Sequence, residues 1–230
     1  MRSGALTLAL PRGRPWQRLG PLLERAGVPG VAGADPEHQL IVVTDQTRLL
    51  FTRPADVVTY VREGVAQLGV TGKDVLLEDG TGVLELLDLP VGRWRMSVAA
   101  PEATDWPRLL AERGDGLRVA TSYPAATAAF FADRGLNPQV LRLRGAVELA
   151  AVVGLADCIV DLVDSGRTLR NHGLREVEVV HPISLRLIGN VAAYRWQAAG
   201  VRELCTRLSR SLAADPGAGQ QAEEGREQSR

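Results

Sequence analysis

Residues 159–169 bring together side chains that could bind a phosphate group, where an apolar run gives way to a turn. Asp161 lies near the end of the run, and Ser165, Gly166 and Thr168 follow it. Glycine lets the backbone approach an anion, N–H groups at a helix start donate to it, and a carboxylate at the carboxyl end of a strand can bind ligand hydroxyls or a metal. The pattern predicts a phosphate-binding loop, although a capped helix explains the bare pattern equally well.

One ligand would use all of these groups together. Phosphoribosyl pyrophosphate has a 5′-phosphate for the turn and ribose hydroxyls for the carboxylate. The loop partly resembles the phosphoribosyl-pyrophosphate motif of the common phosphoribosyltransferases, which has two adjacent acids where this chain has Val160 and Asp161. Because one acid is missing, we do not expect a standard member of that class.

Two further loops carry cations directly after predicted strands. Arg12 and Arg14 lie in a turn-rich segment, where two guanidinium groups could hold a phosphate or a carboxylate. Lys73, the only lysine of the chain, lies in the segment 71–74, which is too short for a Walker A motif. A solvated basic loop is the plainer interpretation of the first segment, and a capped helix is that of the second.

The elements that must position these loops alternate along the chain. Strands are predicted over 5–10, 40–43, 48–52, 68–71, 94–100, 117–121, 140–143, 158–163, 177–180 and 183–188. Helices are predicted over 16–26, 54–63, from 72, over 106–113, 124–134 and 146–153, from 167, and over 191–212. This alternation predicts an α/β fold with mostly parallel sheets. The carboxyl ends of such strands form a ligand crevice, which would gather Arg12, Arg14, Lys73 and the turn at 165–168.

Composition excludes several classes of function. The 230 residues carry 27 Lys plus Arg and 27 Asp plus Glu, so the net charge is zero, whereas a general nucleic-acid binder has a basic surplus. Aromatic residues make up only 4%, which argues against a base-stacking platform. No apolar run reaches the roughly 18 residues of a membrane span, and the N-terminus lacks the features of a signal peptide.

The cysteines and histidines offer little to redox or metal chemistry. Cys158 and Cys205 cannot form a disulfide framework or a four-cysteine zinc site, and the three histidines lack metal-ligand spacing. We therefore expect a cytoplasmic, reduced protein. Residues 214–230 lack bulky apolar side chains, and we expect them to form a disordered tail.

Taken together, the motifs resemble one enzyme family, the ATP phosphoribosyltransferases, which catalyse the first step of histidine biosynthesis. The matching stretches occur in family order and are 6–14, 56–61, 68–78, 122–124, 147–150, 154–163, 165–169 and 183–190. The resemblance implies an α/β fold of two lobes like those of type II periplasmic binding proteins, with the active site in the inter-lobe cleft. Lobe one would be residues 1–92 plus 187–213, and lobe two would be residues 93–186.

The resemblance also implies a reaction, which is that of a pentosyltransferase. Phosphoribose would pass from phosphoribosyl pyrophosphate to N1 of ATP, with release of pyrophosphate and with Mg2+ as cofactor. Because adenine N1 is already a nucleophile, we expect no dedicated general base. Catalysis would come from positioning and from neutralising the leaving pyrophosphate.

By resemblance, site residues fall into three groups. Phosphoribosyl pyrophosphate would contact Asp161, Leu162, Val163, Asp164, Ser165, Gly166, Arg167, Thr168 and Leu169. ATP or pyrophosphate would contact Arg12, Arg14, Arg48, Thr71, Gly72, Lys73 and Asp74. Glu148 and Asp161 would face the ribose or the Mg2+ ion.

The length of the chain bears on its expected partners. The long form of the family adds a C-terminal regulatory domain that senses histidine, and 230 residues leave no room for one. The chain therefore resembles the short form, which works in a hetero-oligomer with a regulatory subunit that resembles histidyl-tRNA synthetase. Two alternatives remain, namely a non-catalytic small-anion-binding module of the same lobed fold and a different phosphoribosyltransferase.

Overall fold

The structure, a computed structural model, describes residues 5–196 and 198–214. The chain divides into two compact units. Unit 1 comprises Met1–Arg93 with Ser184–Arg230, and unit 2 comprises Trp94–Ile183. The sequence-based boundaries at 92/93 and 186/187 lie one and three residues from these. Apart from Ala214, the predicted tail lies outside the described residues.

Strands and helices alternate through most of the chain. In chain order the elements are β1 (Leu6–Pro11), α1 (Arg14–Arg25), β2 (Ile41–Val43), β3 (Thr47–Thr52), α2 (Val57–Arg62), β4 (Leu68–Gly72), α3 (Lys73–Asp79), β5 (Val83–Pro101), α4 (Trp106–Arg113), β6 (Arg118–Thr121), α5 (Pro124–Ala132), β7 (Gln139–Arg142), α6 (Val147–Val152), β8 (Cys158–Val163), α7 (Arg167–Asn171), β9 (Leu174–Asn190), α8 (Val191–Trp196) and α9 (Ala198–Ala213). Short 3-10 turns occupy Pro54–Asp56 and Gly114–Gly116. Strands β5 and β9 each have residues in both units.

The strands of unit 1 follow the order β2-β3-β1-β4-β9. Strand β1 is parallel to β3 and β4, whereas β2 and β9 run antiparallel to their neighbours β3 and β4. Helix α2 packs against this sheet through Val57 and Val61. A Cβ at Gly69 of β4 would come within 2.7 Å of both side chains, so glycine there permits the close approach of helix and strand.

The strands of unit 2 follow the order β5-β8-β6-β7. Strand β6 is parallel to β7 and β8, and β5 runs antiparallel to β8. One buried cluster joins the strands to helices α6 and α7, and its members are Ala99, Ala120, Val147, Ala150, Ala151, Ala156, Ile159, Val163, Leu169 and Leu174. The segments on either side of the 164–168 loop are therefore anchored in the same core.

The structure departs from the predicted elements in two long strands. Strand β5 begins at Val83 rather than at 94, and β9 is continuous where two strands were predicted. Pro90, Gly92 and Pro182 lie inside these strands, and such residues usually end or interrupt a strand. The sheets are mixed rather than mostly parallel, since β2, β5 and β9 run antiparallel to neighbours. Helices α8 and α9 occupy the predicted 191–212 helix, with residue 197 outside the description.

Cys158 and Cys205 are free thiols, and burial raises the pKa of Cys158 to about 12. None of the helices within residues 5–196 and 198–214 has the length and apolar character needed to cross a membrane.

A buried carboxylate holds the amino ends of two strands of unit 2 together. The side chain of Asp157 is only 8% exposed, and it accepts hydrogen bonds from the Arg118 backbone N–H at 2.9 Å and from Arg118 Nη2 at 3.0 Å. Burial raises the pKa of Asp157, but the hydrogen bonds and charge of Arg118, with the charge of Arg113, outweigh it and lower the pKa below 3.8. The ionised carboxylate therefore stabilises the fold.

We expect Asp157→Asn to lower the free energy of unfolding by about 1–3 kcal/mol at pH 7. Because the folded-state pKa is depressed, this stabilisation is complete above the ordinary pKa and is lost as the pH falls through the folded-state pKa. Urea unfolding of the wild type and of Asp157→Asn, at pH 7 and at a series of pH values down to about 3, measures the difference in their free energies of unfolding. Asp133→Asn, at an exposed position after α5, is the control. A difference from wild type that stays constant across this range would contradict the assignment.

Candidate active site

The turn between β8 and α7 has a backbone that requires glycine. Gly166 has φ 70° and ψ 4°, in the left-handed region that side chains disfavour. The Ser165 hydroxyl accepts a hydrogen bond from the Arg167 N–H at 3.4 Å. A Cβ at Gly166 would lie 3.2 Å from Arg170 Nη1 and 3.5 Å from Glu176 Oε1. Both conformation and close packing therefore select glycine here.

Two guanidinium groups hold consecutive carbonyl oxygens of this turn. Arg95 Nη1 donates to the carbonyl of Asp164 at 2.9 Å, and Arg170 Nη1 donates to the carbonyl of Ser165 at 3.2 Å. Arg95 is on β5 and Arg170 is in α7, so the turn is held from two elements.

Glu176 on β9 is the carboxylate beneath these arginines. Its oxygens accept hydrogen bonds from Arg95 through Nη2 and through Nε at 2.6 Å, and from the buried Ser97 hydroxyl at 2.9 Å. Burial raises the pKa of Glu176. The hydrogen bonds from Arg95 and Ser97 and the nearby charge of Arg170 lower it by more than burial raises it, so the pKa lies below its ordinary value. The hydrogen bond to Glu176 in turn raises the pKa of Arg95.

The predicted loop residues differ in how far their side chains are exposed to solvent. Asp161 is half-buried on β8, and its Oδ1 accepts the N–H of Leu162 at 2.8 Å. Val163 and Leu169 are buried in the core of unit 2, so they anchor the loop and do not offer side chains to a ligand. The exposed members are Asp164, Ser165, Arg167 and Thr168.

Glu148 comes to the same edge of unit 2 as Asp161. Strands β6, β7 and β8 are parallel, so their carboxyl ends share one edge, and Glu148 lies in the first turn of α6, soon after β7. Ala146, which precedes α6, has φ 45° and is the only non-glycine residue with positive φ among the described residues. Such a conformation costs energy and is often found near functional sites.

Metal binding by this edge would rely on the substrate. Among the residues that the structure describes, no three His, Cys, Asp or Glu side chains are grouped to hold a metal ion. Magnesium commonly binds through one or two carboxylates together with substrate phosphates. Glu148 and Asp161 could supply these one or two carboxylates, since both offer carboxylate oxygens at the same edge of unit 2.

In unit 1, Arg12 and the segment Thr71–Asp74 lie at one edge of the sheet. Leu8 pairs with Leu68 in the parallel β1–β4 register, which brings Gly72 level with Arg12. The Thr71 hydroxyl is buried and donates to the carbonyl of Pro54 at 2.9 Å, so its role is structural. A Cβ on Gly72 would lie 2.0 Å from Asp74 Oδ1, so glycine is required for that carboxylate to fold back.

Lys73 belongs to a charged network that the sequence analysis did not detect. Its Nζ lies 2.7 Å from Glu85 Oε2, and Arg186 Nε lies 3.3 Å from Glu85 Oε1. Arg186 also pairs with Asp88 at 2.6 Å. The acids lie in the part of β5 that was not predicted to be a strand, which is why the network escaped notice.

A pocket of 360 Å³ in unit 1 includes Arg12. Its lining is Arg12, Leu40, Ile41, Leu50, Phe51, Thr52, Arg53, Asp56 and Tyr60. This volume is within the range of small-molecule sites, about 300–1,000 Å³. Arg53, Asp56 and Tyr60 line the pocket but were not predicted from the sequence as site residues. Arg53 follows directly after β3, so it carries the same signal, a cation at a strand end, that identified Arg12.

The lining of this pocket does not include Arg14 or Arg48, the other two arginines predicted to contact ATP or pyrophosphate. Arg14 is exposed at the first position of α1. Arg48 pairs with Thr7 near the amino end of β3, about 13 Å along the strand from Thr52 at the opposite end. The structure therefore does not bring Arg48 to the edge that carries Arg12 and the 71–74 segment.

The fold is that of periplasmic substrate-binding proteins, which confirms the predicted fold class. The aliphatic sulphonate-binding protein SsuA of Escherichia coli matches with a TM-score of 0.59 over 95% of this chain and 76% of that protein, at 14% identity. A family model described as ATP phosphoribosyltransferase matches residues 53–210. The chain belongs to the ATP phosphoribosyltransferase family.

Named relatives match over nearly their full length. The ATP phosphoribosyltransferase of Methylococcus capsulatus is 45% identical over 212 residues, which cover 91% of this chain and 97% of that protein. The enzyme of Symbiobacterium thermophilum is 43% identical, over 88% of this chain and 93% of that protein. The structure of the ATP phosphoribosyl transferase (HisG:HisZ) complex from Thermotoga maritima includes a chain with a TM-score of 0.76 and 30% identity, covering 91% of this chain and 98% of that one.

The two glycines Gly166 and Gly154 offer a matched test of the turn. Both have φ near +70°, but a Cβ at Gly154 would meet nothing within 4 Å. We expect Gly154→Ala to lower the free energy of unfolding by about 1 kcal/mol through backbone strain alone. Gly166→Ala should lower the free energy of unfolding by about 0.5–1 kcal/mol more, because the Arg170 guanidinium must shift and so weaken its hydrogen bond to the Ser165 carbonyl. Denaturant unfolding measures both, and equal losses would mean that the contacts beneath Gly166 are unimportant.

Proposed function

We propose that this chain catalyses the transfer of phosphoribose from phosphoribosyl pyrophosphate to N1 of ATP, with release of pyrophosphate, as the first step of histidine biosynthesis. The observation that carries the proposal is the Asp161–Thr168 loop, which keeps its carboxylate, its left-handed glycine and its exposed hydroxyls. It does so in a chain that matches the family model from residue 53 to residue 210.

Unit 2 would bind phosphoribosyl pyrophosphate. The turn at 164–168 offers backbone N–H groups and the hydroxyls of Ser165 and Thr168 to the 5′-phosphate. Asp161 offers a carboxylate to the ribose hydroxyls, and Arg167 adds an exposed positive charge beside the phosphate. The buried side chains of Val163 and Leu169 hold the loop in place, so its donors need little reorganisation when the ligand binds.

Unit 1 would bind ATP or pyrophosphate through Arg12, Arg14, Gly72, Lys73 and Asp74. Bound Mg2+ would supply charge neutralisation for the leaving pyrophosphate, with Glu148 and Asp161 as its carboxylate contacts. Adenine N1 attacks the anomeric carbon as the bond to pyrophosphate breaks, and the transition state resembles an oxocarbenium ion. Because N1 carries a lone pair and no proton to remove, the residues act by positioning and by electrostatic stabilisation.

The proposal includes a partner and a location. The Thermotoga maritima structure is of a HisG:HisZ complex, and its matching chain is similar to this one in length and fold. We therefore assign this chain a regulatory subunit that resembles histidyl-tRNA synthetase, in a hetero-oligomer. A cytoplasmic location agrees with the two free thiols and with the supply of ATP.

Replacement of Asp161 or Thr168 by Ala should lower kcat/KM for phosphoribosyl pyrophosphate at least about tenfold, which corresponds to a loss of about 1.4 kcal/mol or more of transition-state stabilisation. Ultraviolet absorbance follows the formation of phosphoribosyl-ATP, with Mg2+, pyrophosphatase and the regulatory subunit present. Thr206→Ala, which removes an exposed hydroxyl bonded within α9, is the control.

The outcomes separate the alternatives. Unchanged kinetics in both variants would mean that the loop is only a capped helix. If the wild-type chain forms no phosphoribosyl-ATP under these conditions but binds phosphate-containing ligands, it is a non-catalytic anion-binding module.

The regulatory subunit should change both the size and the activity of the protein. In gel filtration we expect this chain to elute earlier with the partner than alone. Turnover should rise when the partner is added, and inhibition by histidine should require it. Full activity together with histidine inhibition from this chain alone would refute the assignment.

A further inference from the structure

We propose that Glu176 is a positioning residue for phosphoribosyl pyrophosphate, because it binds Arg95, which holds the turn that faces the 5′-phosphate, and lies close to Arg170, which holds the same turn. The inference rests on the proposed function and adds a residue that lies outside the 161–169 segment. It follows from hydrogen bonds that join β5, β9 and α7 to the turn.

Arg95 and Arg170 set the direction of two peptide groups in the turn. In a trans peptide the C=O and the following N–H point in opposite directions within one plane. Arg95 fixes the carbonyl of Asp164, which directs the N–H of Ser165 away from Arg95. Arg170 fixes the carbonyl of Ser165, which directs the N–H of Gly166 in the same way.

These two N–H groups are available to a ligand. Within the described part of the chain, neither the N–H of Ser165 nor that of Gly166 donates to a protein acceptor. They are consecutive donors beside the exposed hydroxyl of Ser165, and such a row of donors suits the oxygens of a phosphate. The two guanidinium groups thus orient the N–H donors without contacting the ligand themselves.

Glu176 and Ser97 hold the guanidinium group of Arg95 in place. Arg95 donates hydrogen bonds to Glu176 through Nε and Nη2 and to the Asp164 carbonyl through Nη1. The two bonds to the carboxylate fix the plane of the guanidinium. Ser97 donates to Glu176 Oε2 at 2.9 Å and fixes the carboxylate in turn. Arg170 Nη1 and Glu176 Oε1 lie 3.2 Å and 3.5 Å from the position that a Cβ on Gly166 would occupy, so the carboxylate also places its negative charge near Arg170.

Glu178 provides a matched control on the same strand. It lies two residues further along β9, with an ion pair to Arg134 and a hydrogen bond from Trp106 Nε1 at 3.3 Å. Its side chain is 30% exposed, close to the 24% of Glu176. Neither Glu178 nor Arg134 contacts the turn. Glu178→Gln therefore shows how the loss of a charged carboxylate from β9 by itself affects the kinetics.

The experiment compares steady-state kinetics of Glu176→Gln and Glu178→Gln in the presence of the regulatory subunit and Mg2+. We expect Glu176→Gln to raise KM for phosphoribosyl pyrophosphate at least about tenfold while KM for ATP changes less than about threefold. Glu178→Gln should leave both KM values within about twofold of wild type. Glu176→Asp, which keeps the charge, should recover part of the loss.

A milder variant protects the test against misfolding. Ser97→Ala removes one bond to Glu176 and should raise KM for phosphoribosyl pyrophosphate about two- to threefold, again without an effect on ATP. In a double-mutant cycle, Arg95→Lys and Glu176→Gln should be non-additive, because each breaks the same link to the Asp164 carbonyl.

Several outcomes would overturn the inference while leaving the proposed function intact. These are equal KM increases for both substrates, equal effects of Glu176→Gln and Glu178→Gln, or additivity in the cycle, each in an enzyme whose wild type makes phosphoribosyl-ATP. Absence of product from the wild type would instead refute the proposed function.

Discussion

One negative charge beneath the 164–168 turn organises the candidate phosphate-binding loop of unit 2. Arg95 and Arg170 donate to neighbouring carbonyls of the turn, and a carboxylate lies close to both side chains. Glu176 fills this position, and its low pKa keeps the charge in place at neutral pH. The hydrogen bonds from Arg95 and Arg170 hold the carbonyls of the turn, while Val163 and Leu169 anchor its two ends in the apolar core. Polar bonds and apolar packing therefore fix the same short stretch of backbone.

Much of the fold could be predicted because its signals are local. Leu19, Leu22 and Leu23 repeat at helical spacing and are the buried face of α1, and the apolar run from 158 to 163 is the buried strand β8. The long strands β5 and β9 escaped prediction because Pro90 and Pro182 lie within them. A single sequence cannot tell a proline that ends a strand from one that lies where the ladder needs no donor.

The candidate site was predictable only where it is contiguous. The 161–169 segment presents its carboxylate, glycine and hydroxyls in one short stretch, so spacing alone reveals it. Arg95 and Ser97 lie 81 and 79 residues from Glu176, and alternation of polar residues in a strand is normally a sign of a solvent-facing side. Arg48 shows the opposite error, because its residue type suggested a ligand contact while the β1–β3 register puts it at the amino end of its strand.

The ion pair between Lys73 and Glu85 gives the chain an unusual chemical property. Because Lys73 is the only lysine, reagents that acylate amines have a single side-chain target. That amine lies 2.7 Å from Glu85 Oε2. A label attached to the side chain of Lys73 would therefore report from one known position in unit 1.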